Sequence, residues 1–416
     1  MQLRPHQQRA CDAMLVHTKG QVIVPTGGGK TLTMINDLKN LHEVVDNGHT
    51  TVVVAPRILL AEQLCSEFME VIDPNNSDPY LHVMHVHSGE THHTSTTNPE
   101  KIHLYANVAR AYGENVIIFT TYNSLRRVME ADIEVNTIYF DEAHNSVQRN
   151  FFPATEHFSN DADRCYFFTA TPKHSLTYKK PGMNDAEVYG QVICKVPAPE
   201  LINGGFIIPP KVTAVQMTTA IGDVAVRDCN MILNLLHNED NMEKVMVAAR
   251  KTKDINNLMT QTEFVAKCNL AGRDVLWITS KYGAFVNGQK VNREVFFDTM
   301  NAWGQQPDRQ FVMFHHSILS EGINVSGLSA CILMRNMDYI TMAQTIGRVI
   351  RLNKEDAKDL RTGAITPGKL DNYRKPFGKL CVPVYSNVGI GTHKRLQTVV
   401  DIIFEKGEPA ISEVRR

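Results

Sequence analysis

The sequence predicts an α/β protein of two domains, each a mainly parallel sheet with helices on both faces. Three observations carry this expectation. Apolar runs of strand length alternate with helical stretches along both halves of the chain, the pattern of parallel strands joined by crossover helices. Those runs are nearly continuous in Val, Ile and Phe, as expected where both faces of a sheet are covered. A chain of 416 residues is too long for one core and suits two domains of about 200 residues each.

In the first half, strands are expected at Gln21–Val24, Thr51–Ala55, His82–Val86, Val116–Thr120, Thr137–Phe140 and Cys165–Thr169, with a helix over Leu32–Leu41. The pattern weakens between Lys173 and Lys195. Val196-Pro197-Ala198-Pro199 and Asn203-Gly204-Gly205-Phe206-Ile207-Ile208-Pro209-Pro210 then follow, dense enough in proline and glycine to read as a linker. The expected domains are therefore 1–205 and 206–416. In the second half, strands are expected at Lys211–Met217, Asp274–Thr279, Gln310–His315, Ala330–Arg335 and Lys379–Tyr385. Helices are expected at Cys229–Leu236, Met242–Lys267, Arg293–Trp303, Thr341–Arg351 and Thr392–Phe404. Asn353–Asp371 reads as a charged surface loop and Lys406–Arg416 as a fraying end.

Composition narrows the classes. The net charge of −1 gives no global basic field, yet leaves room for a locally basic groove. Eight scattered cysteines without a Cys-x-x-Cys pair read as small buried residues in a reducing compartment. No apolar run has the length to span a membrane, and the N-terminus lacks a secretory core. The expected setting is cytoplasmic or nucleoid-associated. The cluster His82, His85, His87, His92, His93 and His103 reads as a strand running into a polar loop rather than a zinc site, since no cysteine lies nearby.

The chemistry begins at Val24-Pro25-Thr26-Gly27-Gly28-Gly29-Lys30-Thr31, between an apolar strand and a helix. Backbone N–H groups of such a turn point at phosphates, and glycines let the backbone come close. Lys30 is placed to reach β/γ-phosphates and Thr31 to ligate Mg²⁺. A second strand ends in Asp141-Glu142-Ala143-His144. A carboxylate there can hold Mg²⁺ through water, and the next can orient and deprotonate an attacking water.

With these two motifs the sequence resembles the superfamily 2 helicases and translocases, along nearly its whole length. Leu3-Arg4-Pro5-His6-Gln7 is similar to the adenine-sensing element of DNA translocases. Val54-Ala55-Pro56-Arg57 with Leu60 and Gln63 is similar to motif Ia, and Phe119-Thr120-Thr121-Tyr122-Asn123-Ser124-Leu125 to the element before motif II. Asp141 to His144 matches motif II in its DEAH form, and Phe168-Thr169-Ala170-Thr171-Pro172 matches motif III. Leu276-Trp277-Ile278-Thr279-Ser280 sits where motif IV is expected, and Asn287-Gly288 before Arg293 resembles the element after it. Ser320-Glu321-Gly322-Ile323-Asn324-Val325 is similar to motif V, and Gln344-Thr345-Ile346-Gly347-Arg348-Val349-Ile350-Arg351 to motif VI. Two departures stand out: Val24 replaces the usual Ala of the phosphate loop, and Asn324 replaces the usual Asp of motif V. DNA branch-migration helicases and restriction-system motor subunits are the nearest in pattern.

The resemblance implies tandem RecA-like domains with an ATP cleft between them. It implies catalytic roles for Lys30, Asp141, Glu142, Gln344, Arg348 and Arg351, with Arg351 as the arginine finger. ATP would be bound by Arg4, Gln7, Thr26, Gly27, Gly28, Gly29, Lys30, Thr31, Gly322 and Asn324, and Mg²⁺ by Thr31 and Asp141. His144, Thr169 and Thr171 would link nucleotide state to nucleic acid. Pro56, Arg57, Thr120, Thr121, Asn123, Thr279, Ser280 and Glu321 would contact the sugar-phosphate backbone without sequence specificity. The basic segment Arg374-Lys375-Pro376-Phe377-Gly378-Lys379 is a candidate clamp. The function implied is an ATP-dependent helicase or translocase on nucleic acid, DNA favoured over RNA. The alternatives are an ATP-gated clamp or annealing factor, a motor subunit of a larger repair, replication or restriction complex, and an RNA helicase. A phage or mobile element would suit so compact a motor.

Overall fold

The computed structural model describes residues 3–44, 48–89, 91, 93–177, 179–216, 223–316, 325, 327–384 and 389–414. Two compact units emerge, Met1–Val196 joined by Pro409–Arg416, and Pro197–Glu408. The division thus falls a few residues before the glycine-proline stretch, and the chain's last segment rejoins the first unit.

The first unit is built on β1 (Lys19–Ile23), β2 (Thr50–Ala55), β3 (Leu81–Val86), β4 (Thr94–Ser95), β5 (Asn115–Thr121), β6 (Thr137–Phe140), β7 (Arg164–Thr169), β8 (Lys173–Ser175) and β9 (Val192–Lys195). All but β8 form one sheet in the order β4-β3-β5-β2-β6-β7-β1-β9, parallel throughout. The inner strands are buried along nearly their whole length, which their unbroken Val, Ile and Phe runs require. Phe140 and Phe167 stack across β6 and β7 at 4.8 Å.

Register matters for function. Ile23 lies beside Thr169, and Phe140 beside Phe167, so β6, β7 and β1 end side by side. Whatever follows these three strands shares one rim of the sheet. In such folds ligands bind beyond the carboxyl ends of the strands.

Two edge elements correct the sequence expectation for 173–195. β9 lies parallel to β1, where a Cβ on Gly20 would meet Ile193 Cγ2 at 2.4 Å. β8 pairs with β18 (Ser412–Val414), and the Ser412 amide donates to Pro172 O at 3.1 Å. The stretch expected to fray therefore includes a paired strand. Both elements are short and partly exposed, which leaves little hydrophobic pattern to read.

The second unit comprises β10 (Pro210–Gln216), β11 (Lys244–Ala248), β12 (Asp274–Thr279), β13 (Gly283–Val286), β14 (Gln289–Val291), β15 (Phe311–His315), β16 (Ala330–Leu333) and β17 (Gly378–Val384). The order is β10-β17-β16-β11-β15-β12-β13-β14, parallel except for the β12-β13-β14 edge. Met242–Lys267 is not one helix. It opens with β11, fully buried at the sheet centre, and continues as helices Thr252–Gln261 and Phe264–Leu270. An apolar run such as Val245-Met246-Val247-Ala248 fits either element by periodicity alone, and lateral pairing decides.

Asn287-Gly288 is the turn of the β13-β14 hairpin. Both residues have positive φ, 47° and 82°, the conformation that makes Asn-Gly favourable in a two-residue hairpin. Asn353–Asp371 is not a loop throughout: Lys354–Thr362 is helical. Asn353 caps its N-terminus through the amides of Glu355 and Asp356, and Gly363 ends it in the left-handed region. The helix expected to include Arg351 ends at Val349, and Arg351 lies one residue beyond the cap Ile350.

Candidate nucleotide site

The glycine-rich turn leads into the helix Lys30–Val44. Gly27 and Gly29 have φ of 87° and 84°, a region that L side chains avoid, so glycine is needed at both. A Cβ on Gly29 would also sit 2.5 Å from Gln7 Nε2.

The N-terminal helix Pro5–Val16 lies against this turn. Gln7 Nε2 donates to Gly29 O at 3.0 Å, and its Oε1 accepts from the Arg4 amide at 3.0 Å. His6 Nε2 lies 2.8 Å from Gly28 O. His6 thus braces the turn, a role that sequence reasoning missed, because its imidazole neighbours Gln7 in sequence and only the fold brings it onto the loop. Arg4, Gln7, Thr26, Gly27, Gly28, Gly29, Lys30 and Thr31 are contiguous around this turn.

Motif II follows β6. Lys30 Nζ is 3.4 Å from Glu142 Oε1, and Glu142 Oε2 is 3.5 Å from His144 Nδ1. The His144 ring nitrogen Nδ1 is 3.1 Å from Thr169 Oγ1, which accepts from the Thr171 amide at 3.1 Å. A polar path therefore runs from the phosphate turn through the Glu142 carboxylate to the end of β7. Glu142 itself adopts φ 47°, rare for a non-glycine residue, and the turn it makes brings its carboxylate between Lys30 and His144. Tyr122 Oη donates to Asp141 O at 2.8 Å and fixes the strand end.

Asp141 is buried. Burial, and then the negative charge of Glu142, push its carboxyl above the ordinary range, while Lys30 pulls it down. A divalent cation would reverse that balance. The donor set suits Mg²⁺, which takes one or two protein oxygens and otherwise phosphates and waters. Thr31 at the helix start and Asp141 at the strand end would supply those oxygens. Among the described residues no group of three or more His, Cys, Asp and Glu has metal-holding geometry, and all eight cysteines are free and buried. As expected, His85 and His87 lie at the end of a strand, one within β3 and the other just beyond it; both are buried, with Nδ1 of His85 3.0 Å from Nε2 of His87.

In the second unit, Gln344 and Arg348 lie buried on the helix Tyr339–Val349, and Arg351 follows its end. His315, at the end of β15, is held neutral by burial and by the nearby charges of Arg348, Arg335 and His316, its pKa down at about 3. Glu321, Gly322 and Asn324 of motif V lie outside the described residues.

The candidate nucleic-acid contacts divide by exposure. Arg57, Asn123 and Ser280 are exposed at the ends of β2, β5 and β12, and Pro56 is half-buried. Thr120, Thr121 and Thr279 are buried. Thr120 Oγ1 donates to Val86 O at 2.9 Å, and Thr279 Oγ1 accepts from the Tyr282 amide at 2.9 Å. These side chains hold the rim in shape. The clamp expectation does not fit Lys375, which is buried, or Arg374, which pairs with Glu355, Asp356 and Asp359.

Comparison with known proteins bears on the fold. Residues 1–174 match the family described as type III restriction enzyme, res subunit. No curated protein matches the chain. Among solved structures, the DNA-bound type ISP restriction-modification enzyme LlaBIII superposes with TM-score 0.71 and 16% identity, over 100% of this chain and 31% of that one. A nuclease-deletion mutant of the type ISP enzyme LlaGI, in complex with a DNA substrate mimic, gives 0.66 and 18%, over 99% and 30%. S. cerevisiae Dbp5 bound to RNA and ADP BeF3 gives 0.57 and 14%, over 99% and 89%. At such identities the likeness shows the fold, two RecA-like domains in tandem. The chain spans about a third of the length of the type ISP enzymes it matches.

Proposed function

We propose that this chain, a superfamily 2 helicase-type protein near the restriction motor subunits, hydrolyses ATP and uses the energy to move along or remodel nucleic acid, DNA favoured. The observation that carries the proposal is the polar path Lys30–Glu142–His144–Thr169 at the shared rim of β1, β6 and β7. The Lys30 ammonium rests against Glu142. A γ-phosphate competes for that ammonium and leaves the Glu142 carboxylate to orient and deprotonate water. Mg²⁺, held by Thr31 and Asp141, would neutralise charge on the phosphate oxygens. His144 and Thr169 sense the change at Glu142 and pass it to Thr171 and the segment after β7. Gln7, tied to Gly29, reads the base beside the turn. The roles assigned to motif VI are positive charge for the transferring phosphoryl group, from Arg348 and Arg351, and orientation of the water, from Gln344.

DNA is favoured because the family matched by residues 1–174 and the type ISP structures belong to restriction systems, and both type ISP structures carry DNA or its mimic. Contacts are to the backbone, through exposed groups such as Arg57, Asn123 and Ser280. A second reading, a motor subunit inside a larger restriction or repair assembly, is favoured by the fraction of the type ISP enzymes that this chain spans. The test is ATP turnover with single-stranded DNA, duplex DNA, forked DNA and RNA, followed by strand separation on the best activator. Stimulation by DNA above RNA supports the reading. Stimulation by RNA alone overturns the DNA assignment, and turnover without strand separation or displacement turns the protein into a clamp.

A further inference from the structure

We infer that Lys375 is a positioning residue for Arg351, tying the end of motif VI to the strand entry that follows motif V. The inference rests on the reading of Arg351 as the arginine finger. Arg351 lies past the last helical residue Val349, where Lys375 binds its backbone. The Lys375 Nζ donates to Arg351 O at 2.9 Å and to Leu328 O at 2.6 Å. Leu328 leads into β16, just after motif V. One ammonium therefore joins two segments that are distant in sequence.

Lys375 is itself fixed from behind. The amides of Arg374 and Lys375 donate to the two oxygens of Asp356, at 3.0 and 3.1 Å. Asp356 is fully buried in the first turn of the helix Lys354–Thr362, which Asn353 caps. The chain of support runs from this cap through Asp356 to Lys375, and from Lys375 to the backbone of Arg351. Arg351, Lys375, Lys244 and Lys354 line one cavity of about 320 Å³.

Keeping a lysine here is costly. Burial lowers the pKa of Lys375 to about 7, Arg351 and Lys244 push it the same way, and Asp356 and Glu243 oppose them. Removing it leaves the buried carbonyl of Leu328 and the part-buried carbonyl of Arg351 without this donor, which costs stability as well as geometry. What the lysine contributes to the site is geometry at the two carbonyls.

The test compares full-length wild type with Lys375→Met, Arg351→Ala and the double variant. It reads nucleic-acid-stimulated kcat, KM for ATP and the melting midpoint. Arg351→Ala should lower kcat by a hundredfold or more, by the order typical of fingers. Lys375→Met should lower kcat by about tenfold with KM unchanged, read at a temperature well below the melting midpoint of each variant. In the Arg351→Ala background it should have no further effect, because it acts through that residue. Wild-type kcat in Lys375→Met, or an equal drop in both backgrounds, overturns the inference while leaving the finger in place. Wild-type kcat in Arg351→Ala instead overturns the finger itself, and the inference with it. Should Lys375→Met fail to fold, Asp356→Asn keeps the lysine but loosens its support. It should then lower kcat in the same background-dependent way, and wild-type kcat in that variant overturns the inference.

Discussion

Glu142 concentrates the site's chemistry in one residue of unusual backbone. Its left-handed φ costs conformational energy, and in return its carboxylate meets both Lys30 and His144. Asp141 beside it is expensive in another way. Its folded-state pKa is raised, so it takes up more protons than the unfolded chain between the ordinary carboxylate value and the raised one. Stability is then fully present below that ordinary value and falls as pH rises toward neutrality. Asp141→Asn should therefore raise the melting midpoint of nucleotide-free protein near pH 8, by about 2–4 °C for each kcal/mol gained. The gain should vanish near pH 4, while hydrolysis is lost throughout. Melting curves at the two pH values check this, and an equal gain at both would rule out ionisation as the cause. Lys30, Asp141 and Glu142 stood out in sequence because glycine-rich turns and paired carboxylates are local patterns, and the fold brings Lys30 within 3.4 Å of Glu142. His6 did not, since its partner Gly28 is brought to it only by the fold.

At the scale of elements, the N-terminal helix Pro5–Val16 depends on a buried network. Arg164 donates to both oxygens of Asp37, at 2.8 and 3.0 Å, and to Met14 O at 3.1 Å. Tyr139 Oη donates to Asp37 at 2.6 Å, and Tyr166 Oη reaches Met14 O and His17 O, both at 2.7 Å. The network joins the helix that braces the phosphate turn to β6 and β7. Asp37→Ala leaves the partly buried Arg164 guanidinium without its carboxylate, a change that costs up to about 3–5 kcal/mol. It should lower the midpoint sharply and raise KM for ATP, because Gln7 and His6 lose their footing. Calorimetry and initial rates read both, and an unchanged KM would separate the helix from the nucleotide. The central strands of the first sheet were legible because burial on both faces leaves unbroken apolar runs. β11 was misread as helix because a short apolar run carries no periodicity, and its identity as the centre of a sheet is set by β15 and β16 on either side. The helix Lys354–Thr362 was missed because its charges and nearby glycines suggested a loop, although Asn353 and the acids of its first turn are a capping signal.

At the scale of the whole molecule, the proposed binding of nucleic acid by a chain with net charge −1 calls for local groups rather than a global field. Backbone contacts release counterions, so affinity for duplex DNA should fall steeply as salt rises and vary little among sequences of equal length. Fluorescence anisotropy across a salt series checks this, and a salt-independent affinity would point to base recognition instead. The tandem fold was legible from alternation and motif order, whereas the return of Ser412–Val414 to the first unit was not, since three residues of edge strand leave no pattern. The central claim is that Lys30 and Glu142 form the hydrolytic core of a nucleic-acid-driven ATPase. The measurement that tests it most directly is ATP turnover with saturating DNA, beside ATP binding, in wild type and in Glu142→Gln. The account predicts DNA-stimulated turnover in wild type, and in the variant a loss of orders of magnitude with ATP still bound. Wild-type turnover in Glu142→Gln, or no response of wild type to any nucleic acid, would contradict it.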